Sequence, residues 1–143
     1  MQLTLSLKKA FVAGALLIAL GAAAGFAANK YGKPKSVIHV VTLYYKDGTT
    51  DDQKKSVMDA IEKMASEVPG IKNVWLKSTK VQGAYSEKQS DGTFKPRPFT
   101  DAFVIEFEDQ SAFEKYSNHP AHKTFEELYI PLRGRSSTHD ITN

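Results

Sequence analysis

At 143 residues, with 41% hydrophobic and 24% charged side chains, the chain has room for one globular domain with its own core. Its net charge of +3 falls to +1 once Lys8 and Lys9 of the N-terminal segment are set aside, and this mixed, balanced charge excludes the basic face of a nucleic-acid binder. The absence of cysteine excludes disulfide frameworks, thiolate metal sites and cysteine nucleophiles.

The N-terminal segment has the layout of a secretory signal. Residues 1–9 end in two lysines and contain no acid, Ala10 to Ala24 are apolar, and the small-x-small site Gly25-Phe26-Ala27 follows. The expectation is a signal peptide over residues 1–27, cleaved after Ala27, and a product exported to a periplasm or the cell exterior with no membrane attachment. The alternative is an uncleaved anchor, since the apolar run to Ala28 approaches the ~20 residues that span a bilayer. Its Ala/Gly-rich composition favours cleavage. A lipoprotein anchor is excluded by the lack of cysteine. Residues 28–36, with Gly, Pro and three lysines, read as a solvated linker into a domain over 37–143.

Val37 to Lys46 is rich in β-branched and aromatic residues and predicts a strand whose faces are both apolar, hence both covered. Thr50 and Gln53 have capping-box spacing, and Val57, Ile61, Met64 and Val68 recur at helical spacing until Pro69-Gly70. Asn73 to Val81 predicts a second strand. Residues 82–100 read as a long hairpin loop with ragged strand ends, whose Tyr85, Phe94 and Phe99 either fold over a cavity or merely anchor an exposed loop. Asp101 to Phe107 predicts a strand with Phe103, Ile105 and Phe107 on one face. Asp109 suits the N-cap of a helix carrying Ala112, Phe113 and Tyr116. That helix breaks at Asn118-His119, and Pro120 opens a second one with Ala121, Phe125, Leu128 and Tyr129 on its apolar stripe and Pro131 at its end. Gly134 to Asn143 is polar with scattered β-formers, an edge or closing strand.

Strand, helix, strand, strand, helix, strand is the split βαβ pattern, so the fold class is α+β, a ferredoxin-like βαββαβ unit with both helices on one sheet face. The other face would leave Val40, Ala102 and Val104 in water, which predicts a homodimer packed sheet to sheet around an apolar interior, a dimeric α/β barrel.

Ile38-His39-Val40-Val41, Val68-Pro69-Gly70-Ile71, Val104 to Asp109, and above all Tyr116 to His122 with Phe125 behind it resemble the stress-responsive A/B barrel (Dabb) family over roughly Val37 to Ile141. The resemblance implies a dimeric α/β barrel of ferredoxin-like subunits. Many members are known only as stress-induced proteins, and at least one plant member is a polyketide cyclase. The Tyr and His of its acid/base pair fall on Tyr116 and His122, and its first-strand histidine falls on His39. A further strand histidine falls on Asp101, where this chain departs from the pattern; the secretory leader is a second departure.

Two functional classes therefore stand. One is an exported homodimer, stress-related or holding a small apolar ligand. The other is a cyclase or proton-transfer enzyme acting on a carbonyl compound, with His122 as general base and Tyr116 stabilising an enolate. His39, Asp101 and His119 are the ligand-binding candidates. The bland reading keeps His119 and His122 as groups satisfying backbone at the helix break and Tyr116 as a core residue with a wet hydroxyl. A metal set from His39, His119, His122, His139 and Asp140 lacks defined spacing, and no Gly-rich phosphate loop appears, so no metal or cofactor is assigned.

Overall fold

The computed structural model describes residues 32–143. The expected leader lies outside them.

Among the described residues, six strands and three helices follow one another as β1 (Val37–Tyr45), α1 (Asp51–Glu67), β2 (Ile71–Trp75), β3 (Ala84–Lys88), β4 (Phe94–Pro98), β5 (Asp101–Phe107), α2 (Gln110–Tyr116), α3 (Pro120–Leu132) and β6 (Arg133–Ile141). Four strands form an antiparallel sheet in the order β2-β5-β1-β6, while β3 and β4 pair in a sheet of their own. Without that hairpin, the order and connections are those of the ferredoxin-like split βαβ unit.

Side chains alternate across a strand, so the pairing register assigns each to a face. Val37, Val41, Leu43 and Tyr45 of β1 and Phe103, Ile105 and Phe107 of β5 are buried against the helices. Burying each large side chain of this set contributes about 1.5–3 kcal/mol. From α1 come Val57, Ile61 and Met64; from α2, Ala112 and Tyr116; from α3, Ala121, Phe125 and Tyr129. The ring of Phe107 meets Tyr116 at 4.9 Å and Phe113 at 5.4 Å, which fixes α2 to the sheet.

The helix ends follow their local chemistry. Thr50 Oγ1 accepts from the Gln53 amide at 3.2 Å and Gln53 Oε1 accepts from the Thr50 amide at 2.9 Å, the reciprocal capping box. Asp109 Oδ1 accepts from the Ala112 amide at 2.9 Å. His119 caps α3, its Nδ1 accepting from the Ala121 amide at 3.2 Å, and Pro120 stands at the first helical position.

Several expectations are corrected. The second strand starts at Ile71 and stops at Trp75 rather than Val81; beyond Trp75 a side chain replaces the ladder, Ser78 Oγ donating to the Ala102 carbonyl at 2.9 Å and accepting from its amide at 3.1 Å. Residues 84–98 form an ordered hairpin, turned by Asp91, whose Oδ1 accepts from the Thr93 amide at 2.9 Å and its hydroxyl at 2.6 Å. Its anchors are Phe99 stacked on Tyr44 at 6.3 Å and Arg97 over the same ring at 4.2 Å; Phe94 is exposed. Leu128 is exposed, since the buried stripe of α3 runs Ala121, Phe125, Tyr129 at strict i+4 spacing. The helix also continues one residue beyond Pro131. Residues 34–36 are tied down: Asn143 Nδ2 donates to the Pro34 carbonyl at 3.0 Å, Thr142 Oγ1 donates to the Ser36 carbonyl at 3.1 Å, and Ser36 is buried.

The opposite face of the sheet carries matched rows. Trp75, Val104, Val40 and His139 lie side by side across all four strands, and Asn73, Glu106, Ile38 and Ile141 form the next row. Trp75 and Ile141 are half exposed or more, and one chain by itself does not close a barrel over them.

Gly70 supplies a stability test. It has φ 86°, and a Cβ there would lie 2.5 Å from the Ala112 Cβ, whereas Gly48, at φ 84°, has open space around it. Gly48→Ala should cost about 1–2 kcal/mol, the left-handed conformation alone. Gly70→Ala should cost more by the clash, read as a larger fall in urea midpoint.

Candidate functional site

A cavity of about 460 Å³ lies between the helices and the inner face of the sheet. The cavity lies within one chain, where α2 and α3 stand off the β1–β6 half of the sheet. One wall is a stripe on α3, His122, Phe125 and Tyr129, at helical spacing. Facing it, β6 turns Thr138, Ser136 and Arg133 inward, the residues paired with Val41, Leu43 and Tyr45. Val41, Phe103 and Phe113 complete an apolar middle.

Tyr116, His122 and His39 converge at one end. The rings of Tyr116 and His122 are 4.1 Å apart, and His39 lies 5.8 Å from Tyr116. The break between α2 and α3 produces this closeness: Tyr116 ends one helix, and the turn through His119 brings the first turn of the next back over it. His122 Nδ1 lies 3.2 Å from the Ser117 carbonyl. A carbonyl only accepts, so Nδ1 carries the proton and Nε2 keeps the lone pair in the neutral ring. Glu126 Oε2 lies 3.8 Å from the same Nδ1.

His39 is held by Asp140, with 2.6 Å between Nδ1 and Oδ1. The carboxylate fixes the tautomer and presents Nε2 on the other side of the ring. Burial pushes the Tyr116 phenol up, with the charges of Glu126 and Asp140 adding to it. Tyr116 therefore remains a hydrogen-bond donor throughout the neutral range.

The other two sequence candidates are placed elsewhere. His119 spends its Nδ1 on the α3 cap. Asp101 shares the inner face with His39 but sits at the far end of β5, four residues from the Ile105 that pairs with His39, roughly 13 Å along the strand. It accepts from Thr100 Oγ1 at 2.5 Å and lines a separate 220 Å³ depression beside Tyr45 and Lys54. Among the described residues, no three of the His, Asp and Glu side chains are grouped to hold a metal ion. Sequence reasoning passed over Asp140 as a partner of His39 and Arg133, Ser136 and Thr138 as wall residues. The signal was present: Ser136, Thr138 and Asp140 alternate as a polar face on a strand that must pair beside β1.

Residues 37–143 match the stress responsive A/B barrel domain, Dabb. The chain belongs to the Dabb family. Three solved structures share the fold of this Dabb domain. A dimeric ferredoxin-like protein of unknown function from Thermobifida fusca is 22% identical, with a TM-score of 0.55 over 80% of this chain and 97% of that one. A Dabb family protein from Mesorhizobium loti is 21% identical, with a TM-score of 0.54 over 76% and 96%. A hydroxynitrile lyase from Passiflora edulis is 19% identical, with a TM-score of 0.59 over 76% and 93%. No curated protein matches the chain.

The buried phenols predict an alkaline limit to stability. Tyr45 and Tyr116 hold their protons above the ordinary 10.0 of tyrosine, burial being the larger cause in both. Their contribution is full below that pH and is lost as pH rises toward the folded values, where the unfolded chain has already released the protons. Each group should cost about 1 kcal/mol between pH 10 and 11. Tyr116→Phe should remove its share of that fall, measured by urea unfolding across the interval.

Proposed function

We propose that this Dabb domain binds a small, largely apolar carbonyl compound in its cavity and moves a proton on it. The observation that carries the reading is the convergence of Tyr116 and His122, 4.1 Å apart, with the Asp140-held His39 beside them on one cavity wall. A phenol that stays protonated and an imidazole with a free lone pair make a matched acid and base. His122 Nε2 takes a proton from the carbon next to the carbonyl, the C–H electron pair becomes the new C=C bond, and the carbonyl π pair moves to oxygen. Tyr116 donates a hydrogen bond to that oxygen as its charge develops. Returning the proton, or joining the enolate carbon to a second carbonyl in the same molecule, completes an isomerisation or a cyclisation. The apolar middle strengthens each electrostatic contact by excluding water. A hydroxynitrile lyase among the proteins of like fold supports a cavity suited to proton transfer.

The same proposal includes a homodimer. The unpartnered rows around Val40, Val104 and Trp75 have the apolar character of an interface, and the Thermobifida fusca protein is described as dimeric. Closing a barrel by that face leaves the cavity of each subunit on the helix side. The leader supports export of the assembly.

Two measurements test this. With 2-nonanone in deuterated water as probe, the protein should catalyse exchange of the protons beside the carbonyl, and Tyr116→Phe and His122→Ala should each slow it by about 10²–10⁴-fold. Exchange no faster than buffer removes the enzymatic reading, and native mass spectrometry for a retained small molecule then decides whether binding survives it. For the assembly, light scattering should give twice the chain mass, and Val104→Asp should give the monomer with unchanged helix content. A monomeric parent protein overturns the dimer.

A further inference from the structure

The cavity is electrically polarised along its length. At the Tyr116 end stand Glu114 and Glu126, with Asp140 behind His39. At the other end, where α3 runs directly into β6, stands Arg133. From His122 to Arg133 the helix advances about 16 Å.

Arg133 is half-buried, and among the described residues it forms an ion pair with no carboxylate. Its guanidinium lies over the Tyr129 ring at 5.5 Å and donates to Ser136 Oγ at 3.3 Å, contacts that aim it while leaving most of its donors open. Tyr129, itself buried, has a hydroxyl sealed from solvent and without a hydrogen-bond partner. Arg133 and Ser136 are near enough to hold back the rise that burial gives this phenol, without meeting hydrogen-bond geometry with it. Next to it, a second depression of about 250 Å³ shares Ile130, Arg133 and Ser136 with the main cavity and gives this end an opening.

We infer that this end is an anion seat: Arg133, with Tyr129 and Ser136 beside it, holds a carboxylate of the ligand while the opposite end of the molecule meets Tyr116 and His122. The ligand class is then an elongated, mostly apolar carboxylic acid. The inference rests on the cavity being a small-molecule site, and it adds an orientation: the acidic Tyr116 end repels the carboxylate that Arg133 attracts, so the molecule enters in one direction. The planar fork of an arginine suits a carboxylate better than an alcohol of the same length.

Calorimetric binding of decanoate and decanol to the full chain tests it. The unmodified protein should bind decanoate at least tenfold more tightly than decanol. Arg133→Gln should abolish that preference while still binding decanol, which shows that the variant is folded, and Arg133→Lys should restore part of it. Tyr116→Phe and His122→Ala should keep the preference, because they act at the other end. Equal binding of the two probes, or a preference that survives in Arg133→Gln, overturns the anion seat and leaves the cavity reading standing. Failure of both probes to bind overturns the two together.

Discussion

β1 has to be covered on both faces, and the rest of the molecule is arranged around that requirement. It pairs with β5 on one side and β6 on the other, so its backbone is paired on both sides from Ile38 to Leu43. On the inner face Val41, Leu43 and Tyr45 require the helices, and on the outer face Tyr44 requires the hairpin and Val40 a neighbour. Seven residues of the buried core, Val37, Val41, Leu43 and Tyr45 with Phe103, Ile105 and Phe107, lie on that strand or its β5 partner. His39 is the one titratable imidazole set into this strand, and its place beside β6 gives it the Asp140 carboxylate.

The cavity exists because the helix layer is interrupted. A continuous helix through residues 110–132 would pack evenly on the sheet and fill it. The break at His119-Pro120 costs the chain a run of helical hydrogen bonds, which the His119 ring partly offsets. It leaves Tyr116 and His122 in contact above a gap over β6. The break is therefore what assembles the acid–base pair. Structural and chemical readings of this segment do not compete: His119 serves the cap, and His122, three residues on, is left facing the gap.

The edge strand β6 has a second role beside closing the sheet. Its inward residues are polar where those of β1 and β5 are apolar, so one wall of the cavity can orient a ligand while the others exclude water. A polar inner face is tolerated at an edge because the helices do not seal it. In the middle of the sheet the same residues would be buried without partners.

Local signals in the sequence determined the elements and their caps: the Thr50–Gln53 box, the Asp109 cap, the proline-started α3, and the two-sided apolar β1. Their order was enough for the ferredoxin-like topology. These features depend on neighbours within a few residues or on a short-period pattern, so they are legible in one dimension. Tertiary structure alone decided which distant residues meet. Asp101 and Asp140 are both inward carboxylates on strands flanking β1, yet only Asp140 has the register that puts it opposite His39. Arg133 reaches the cavity because α3 passes into β6 without a loop. The position of the cavity inside one chain is likewise a matter of how far the helices stand from the sheet. Register and layer spacing are set by the packing of the whole core, and no short stretch of sequence contains them.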